Sequence, residues 1–140
     1  MRQILLFAAL AASLALLSGC TLSKTKKDTP EDMTGKAAYH KISAEEAYEM
    51  MSSQEVVVVD VRSQEEYDGG HIENAVLVPN ESIGSEMSEA LPDKEATLLI
   101  YCRSGRRSKD AAEKLLSLGY QSVYDFGGVI DWPYELVKEG

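Results

Sequence analysis

Residues 97–108 read Thr97-Leu98-Leu99-Ile100-Tyr101-Cys102-Arg103-Ser104-Gly105-Arg106-Arg107-Ser108, and this stretch decides the fold. Thr97–Tyr101 suits a short strand buried on both faces. It runs straight into Cys102 and a short loop containing Gly105. Beyond the arginines, Ala111, Ala112, Leu115, Leu116 and Leu118 recur with a helical period over Ser108–Leu118. Gly119 then stands where a left-handed C-cap is wanted. Strand, tight loop and helix in succession make one unit of an α/β sheet. Ligands of such sheets bind at the carboxyl ends of strands, and Cys102 is at one.

The same alternation extends outward. Ser43-Ala44-Glu45-Glu46 is a capping box, predicting a helix through about Met51. Val56–Val61 is a β-branched run expected of a doubly buried strand. Ser63–Asp68 suits a short helix ended by Gly69-Gly70, and Ala75–Val78 a second short strand stopped by Pro79. Residues 81–91 are helix-compatible, with Pro92-Asp93 as the following turn. Ser122–Phe126 reads as another strand, Gly127-Gly128 as a turn, and Val129–Val137 as a last helix interrupted by Pro133. Strands alternating with helices predict a parallel sheet with helices on both faces.

The chain has 140 residues, enough for one domain with a modest core. Its start does not belong to that core. Arg2 precedes Ile4–Leu17, a run of 14 residues that is apolar apart from Ser13. Spanning a bilayer takes roughly 20 helical residues, so this short run with small residues after it reads as a secretory signal. Leu17-Ser18-Gly19-Cys20 resembles the lipobox of bacterial lipoproteins. The resemblance implies a signal over 1–19, a lipidated Cys20 and a chain anchored to a membrane of the bacterial cell envelope, facing periplasm or exterior. An ordinary cleaved signal is the alternative. Residues 20–38, rich in Lys, Asp, Thr, Pro and Gly, read as a flexible tether, and 39–140 as the folded domain. Cys20 and Cys102 are the two cysteines. With Cys20 lipidated, Cys102 is a lone thiol in an exported protein, which points to reactivity rather than pairing.

The net charge is -9, yet four of the 14 basic residues (Arg103, Arg106, Arg107 and Lys109) gather just after that thiol. A loop opening a helix turns backbone N–H groups toward one point, and the helix dipole adds to their field. The loop therefore suits an anion, and the same field favours thiolate over thiol at Cys102, with the guanidinium groups adding to it.

Several ordered motifs resemble the single-domain rhodaneses, a sulfurtransferase family, over about residues 39–140. Asp60-Val61-Arg62 with Glu65-Glu66-Tyr67 resembles its D-V-R…E-[FY] segment. Gly70-His71-Ile72-Glu73-Asn74-Ala75 resembles G-H-I-x-G-A with Asn74 in place of glycine, and Val78-Pro79 follows. Cys102–Ser108 matches C-x-x-G-x-R-S. Tyr124-Asp125-Phe126-Gly127-Gly128 with Trp132 resembles the family's closing glycine pair and tryptophan.

The resemblance implies a sheet of about five parallel strands flanked by helices on both faces. It implies Cys102 as nucleophile, and Arg103, Ser104, Gly105, Arg106 and Arg107 as the loop that holds a small anionic sulfur donor such as thiosulfate. The sulfur would pass through a Cys102 persulfide to cyanide, a small thiol or a protein thiol. Asp60 has two readings, orienting a loop arginine (as the family suggests) or capping the turn after its strand. Arg62 and Glu66 have the i,i+4 spacing of a structural ion pair. His71 reads as structural, since a thiolate ionised by its loop needs no base, and Tyr67 and Trp132 as core residues. No cofactor, metal cluster, nucleotide loop or nucleic-acid partner is implied.

Two rival readings remain. Cysteine phosphatases and arsenate reductases carry a longer loop, the phosphatases as C-x5-R. Here the sixth position after Cys102 is Ser108, and the arginine comes one earlier. The other rival is a module that binds a partner or carries sulfur without turnover.

Overall fold

The computed structural model describes residues 37–84 and 89–138. The expected signal, the lipidated Cys20 and the tether up to residue 36 lie outside the described residues. Among those described, no helix is long and apolar enough to cross a membrane.

Among the described residues, five strands form one wholly parallel sheet: β1 (Ala38–Lys41), β2 (Val57–Asp60), β3 (Val76–Leu77), β4 (Thr97–Cys102) and β5 (Ser122–Gly128). Their order across the sheet is β1-β5-β4-β2-β3. Helices α1 (Ala44–Ser53) and α2 (Gln64–Asp68) pack on one face, and α3 (Arg106–Ser117) packs on the other. Both α1 and α2 open with complete capping boxes, Ser43 with Glu46 and Ser63 with Glu66, so their first N–H groups are satisfied locally.

The central strand β4 explains why its sequence is apolar throughout. Leu98, Ile100 and Cys102 join Ala111, Ala112 and Leu115 of α3 in one core layer. Leu99 and Tyr101 join Ala47 of α1 and Tyr67 of α2 in the other. Period-two side-chain alternation sends neighbours to opposite layers, so a doubly covered strand needs apolar residues at every position. Each such Leu or Ile stabilises the fold by about 1.5–3 kcal/mol.

Four local expectations are revised. Strand β1 starts at Ala38, inside the expected tether, and pairs with β5 from Ala38↔Ser122 to Lys41↔Asp125. Its sequence Ala38-Tyr39-His40-Lys41 has burial on alternate residues only, which suits an edge strand but leaves a weak apolar signal. The helix expected over 81–91 is, among the described residues, a single 3-10 turn at Asn80–Ser82. Among the described residues of that span, Ile83 and Leu91 are the apolar side chains that enter the core. The Gly127-Gly128 pair lies within β5 rather than in a turn. The last helix shrinks to a 3-10 turn at Val129–Asp131, because Pro133 forces Trp132 into an extended conformation (φ −76°, ψ 114°). The chain beyond pairs back instead: Val137 N–H donates to His71 O at 2.8 Å, and His71 N–H to Val137 O at 2.9 Å.

Candidate active site

Cys102 is the last residue of β4, and the next helix starts four residues later, so the intervening loop must turn sharply. Gly105 makes that possible with a left-handed backbone (φ +100°) that strains any side-chain-bearing residue. The turn brings Gly105 N–H to 3.0 Å from Cys102 Sγ. The sulfur thus faces the start of α3, where unpaired N–H groups and the helix dipole concentrate positive potential. Cys102 is 1% exposed. That burial pushes the thiol pKa up, but the Ser108 backbone N–H and hydroxyl and the N–H groups of Gly105 and Ser104 outweigh it. The net direction is downward, as needed for a nucleophilic thiolate.

Ser108 and Asp125 complete the floor of the site. The Ser108 hydroxyl lies 3.7 Å from Cys102 Sγ and 2.7 Å from Asp125 Oδ1, with Gly105 O at 3.1 Å and Gly127 O at 3.3 Å. Both residues are fully enclosed, Ser108 at 0% and Asp125 at 1% exposure. Asp125 reaches this place by regular alternation, being in register with Ile100 and two residues beyond Val123, both of which face α3. Ile100 is in register with Asp125 but Tyr101 with Gly127, so Phe126 is an extra residue. The extra residue resets the register beyond it and brings Gly128 opposite Cys102. Here Asp125 faces α3 with Cys102 while Phe126 enters the opposite core layer. Asp125 also accepts from Gly127 N–H at 2.8 Å and Tyr39 O–H at 2.9 Å, and pairs with Lys41 Nζ at 3.2 Å.

The loop arginines divide into two kinds. Arg103, Ser104 and Arg106 are exposed at the rim. Arg107 is held by α2, its two terminal nitrogens each donating to Glu66 at 2.7 Å. This bidentate pair lowers the Glu66 pKa to about 2. Glu66 therefore pairs with Arg107, not with Arg62 as i,i+4 spacing suggested. The main stabilisers of the Cys102 thiolate are backbone N–H groups and Ser108, although the charge of Arg107 is coupled to that of Cys102.

Asp60 and Arg62 form a buried unit of their own. Arg62 Nε and Nη2 donate to the Asp60 carboxylate, the shortest contact being 2.6 Å, and Arg62 Nη2 also reaches Gly70 O at 2.8 Å. Arg62 N–H donates to Asp60 Oδ1 at 2.9 Å, so the turn-capping reading of Asp60 describes what it does, and no loop arginine contacts it in the described structure. Tyr101 O–H donates to Asp60 Oδ2 at 2.6 Å while its oxygen accepts from Ile72 N–H at 3.1 Å. Tyr101→Phe removes both bonds without changing shape, leaving a buried N–H unpaired. Its expected cost is about 2 kcal/mol, measurable as a lower urea midpoint at unchanged slope.

His71 is buried, its Nδ1 2.9 Å from Tyr67 O and its ring stacked on Tyr67 at 3.7 Å, with no contact to Cys102. Trp132 is half-buried against the rings of Phe126 and Tyr134. Asn74 takes φ +63°, a left-handed conformation that asparagine tolerates better than most residues, which accounts for its standing where the resembled pattern has glycine. Among the described residues, no group of three or more His, Cys, Asp or Glu is placed to hold a metal ion.

Sequence reasoning named neither Ser108 nor Asp125 as site residues. A signal for Asp125 was present. It stands two residues after Val123 in an otherwise apolar strand, so alternation puts a carboxylate on a core face, where an ionisable group needs a reason.

Comparison with known proteins agrees with this fold. A family model described as Rhodanese-like domain matches residues 43–133. A tRNA uridine(34) hydroxylase of Yersinia pestis is 30% identical over 106 residues, covering 72% of this chain and 30% of its own length. The chain therefore spans under a third of the curated relatives of that name. Among solved structures, a rhodanese-like domain protein from Staphylococcus aureus is 31% identical with a TM-score of 0.64, covering 72% of this chain and 99% of that one. A human single-domain sulfurtransferase is 27% identical with a TM-score of 0.60, covering 66% and 93%.

Proposed function

Since the chain belongs to the rhodanese-like domain family, we propose that it is a sulfurtransferase that carries sulfane sulfur on Cys102. The observation that carries this reading is the Cys102 loop, where a thiol of lowered pKa faces the N-terminus of α3 with Gly105 N–H on its sulfur. The Cys102 thiolate attacks the outer sulfur of thiosulfate. A Cys102 Sγ–S bond forms, the S–S bond of thiosulfate breaks, and sulfite leaves with its electron pair. Three negative charges stand on each side of the step. The product persulfide is itself anionic, so the N–H groups that favour the thiolate also favour it. The exposed Arg103 and Arg106 flank the Cys102 loop, and their charge supports the approach of a dianionic donor. A nucleophilic acceptor (cyanide, a small thiol or a protein thiol) then takes the outer sulfur and restores Cys102.

The phosphatase alternative finds less support. The one arginine near the phosphatase position is committed to Glu66, and the loop is a residue short. The hydroxylase name belongs to proteins of which this chain covers 30%, and no observation at the Cys102 loop favours oxidation of a nucleobase. A lipid anchor through Cys20 would place the chemistry at the surface of a cell-envelope membrane.

Intact mass of the full chain after thiosulfate treatment tests the reading. The expected result is a gain of one sulfur atom, released again by cyanide as thiocyanate. No gain while the Cys102 thiol is demonstrably free overturns thiosulfate as the donor. A gain that no acceptor removes leaves a carrier rather than an enzyme.

A further inference from the structure

The Ser108 hydroxyl carries one proton, and more than one neighbour competes for it. Around its oxygen stand the Asp125 carboxylate at 2.7 Å, the Gly105 and Gly127 carbonyls at 3.1 and 3.3 Å, and Cys102 Sγ at 3.7 Å. The three oxygens only accept, and the charged one is closest, so the proton lies toward Asp125 when Cys102 is a thiol. In that state Ser108 offers the sulfur a lone pair, which suits S–H and gives a thiolate nothing. Ionised Cys102 needs the opposite: the hydroxyl must turn its proton to the sulfur and give up its bond to Asp125.

We propose that Asp125 is a positioning residue that governs how readily Cys102 ionises, acting through the single proton of Ser108. No proton passes to Asp125. When the thiol loses its proton to a base in solution, Ser108 rotates and Asp125 keeps its other donors. These are Gly127 N–H from β5, and Tyr39 O–H and Lys41 Nζ from β1. The more completely they satisfy the carboxylate, the less it resists the rotation. The other charged groups coupled to this pair are Lys109 of α3, which feels Asp125, and Arg107, which feels Cys102. Lys41 and Tyr39 thus extend the site to an edge strand. Burial and its bond to Asp125 raise the Tyr39 pKa to about 12, so its O–H remains a donor throughout the working range.

The inference rests on Cys102 as the reactive thiol, but its test reads ionisation and not sulfur transfer. A failure to form a persulfide therefore leaves it standing. The full-length chain in detergent is alkylated with iodoacetamide across pH, and the Cys102 peptide is followed by mass spectrometry. In Asp125→Asn a neutral amide holds the Ser108 proton less firmly than a carboxylate. The alkylation midpoint is expected to move about one pH unit lower, making reaction about tenfold faster below the midpoint. Lys41→Gln, at a half-exposed position, leaves Asp125 more dependent on Ser108 and moves the midpoint upward. Both shifts are expected to vanish in a Ser108→Ala background. Unmoved midpoints in the two single variants overturn the proposal, and so do shifts that persist without the Ser108 hydroxyl, which would mean a field acting directly on the sulfur. Should Asp125→Asn fail to fold by circular dichroism, Lys41→Gln with and without Ser108→Ala decides the matter.

Discussion

Cys102→Ser is expected to lower thiosulfate turnover by about 10⁴-fold or more and to abolish the one-sulfur mass gain, while the fold survives. The size of the loss follows from the proposed route. Sulfur passes through a covalent bond to Cys102, and a serine hydroxyl at the same place is neither ionised by the loop nor able to form a persulfide. The loop's N–H groups would still attract the donor, so binding should outlast turnover. Fold is preserved because the substitution is nearly isosteric and the new oxygen can accept from Gly105 N–H, which now lies 3.0 Å from the sulfur. Steady-state sulfite release and intact mass read the first part, and a thermal melt the second. Sulfite release at the native rate by this variant would remove Cys102 from the mechanism.

Gly128→Ala is expected to destabilise the domain by about 3 kcal/mol or more, lowering Tm by about 15 °C, and to slow alkylation of Cys102. Backbone conformation is not the cause, since Gly128 has an ordinary φ of −121°. Space is the cause. A Cβ at Gly128 would overlap Arg103 O and stand 2.6 Å from Ser104 Cα and 2.7 Å from Arg103 C. These are backbone atoms of the loop that follows Cys102, and no side-chain rotation can move them aside. Either β5 separates from β4, at the position where Gly128 is in register with Cys102, or the loop is displaced and the N–H groups leave the sulfur. A displacement of about 1 Å is enough to cost two orders of magnitude in rate. Gly84→Ala is the control, for a Cβ there meets nothing within 4 Å among the described residues. A Gly128→Ala protein that melts with the native chain would mean that the loop is far softer than its packing indicates.

The parts of the site that could be read from sequence are those whose cause is local. The capping box at Ser43 announces α1 because partners three residues apart meet within one helical turn. Pro133 marks a break in the helical pattern of Val129–Val137, and the turn ends after Asp131 because the residue before a proline is held in an extended conformation. Strand β1 was not legible as a strand. Two of its four residues face outward, and its place in the sheet depends on β5, about eighty residues away.

By itself the sequence determined the strand–loop–helix unit around Cys102, the parallel sheet with helices on both faces, and the family, because each rests on consecutive residues or on ordered short motifs. Tertiary structure alone decided which charges meet. Arg62 lies within helical reach of Glu66, yet the fold gives Arg62 to Asp60 and Glu66 to Arg107, 41 residues away. Alternation sends Asp125 to the face of β5 that α3 covers, but only the packing of α3 brings it to Ser108, 17 residues before it. Spacing along a chain limits which neighbours are possible within one element. Between elements, the choice belongs to register, to the face each strand presents, and to the burial that makes an unpaired charge too costly to leave.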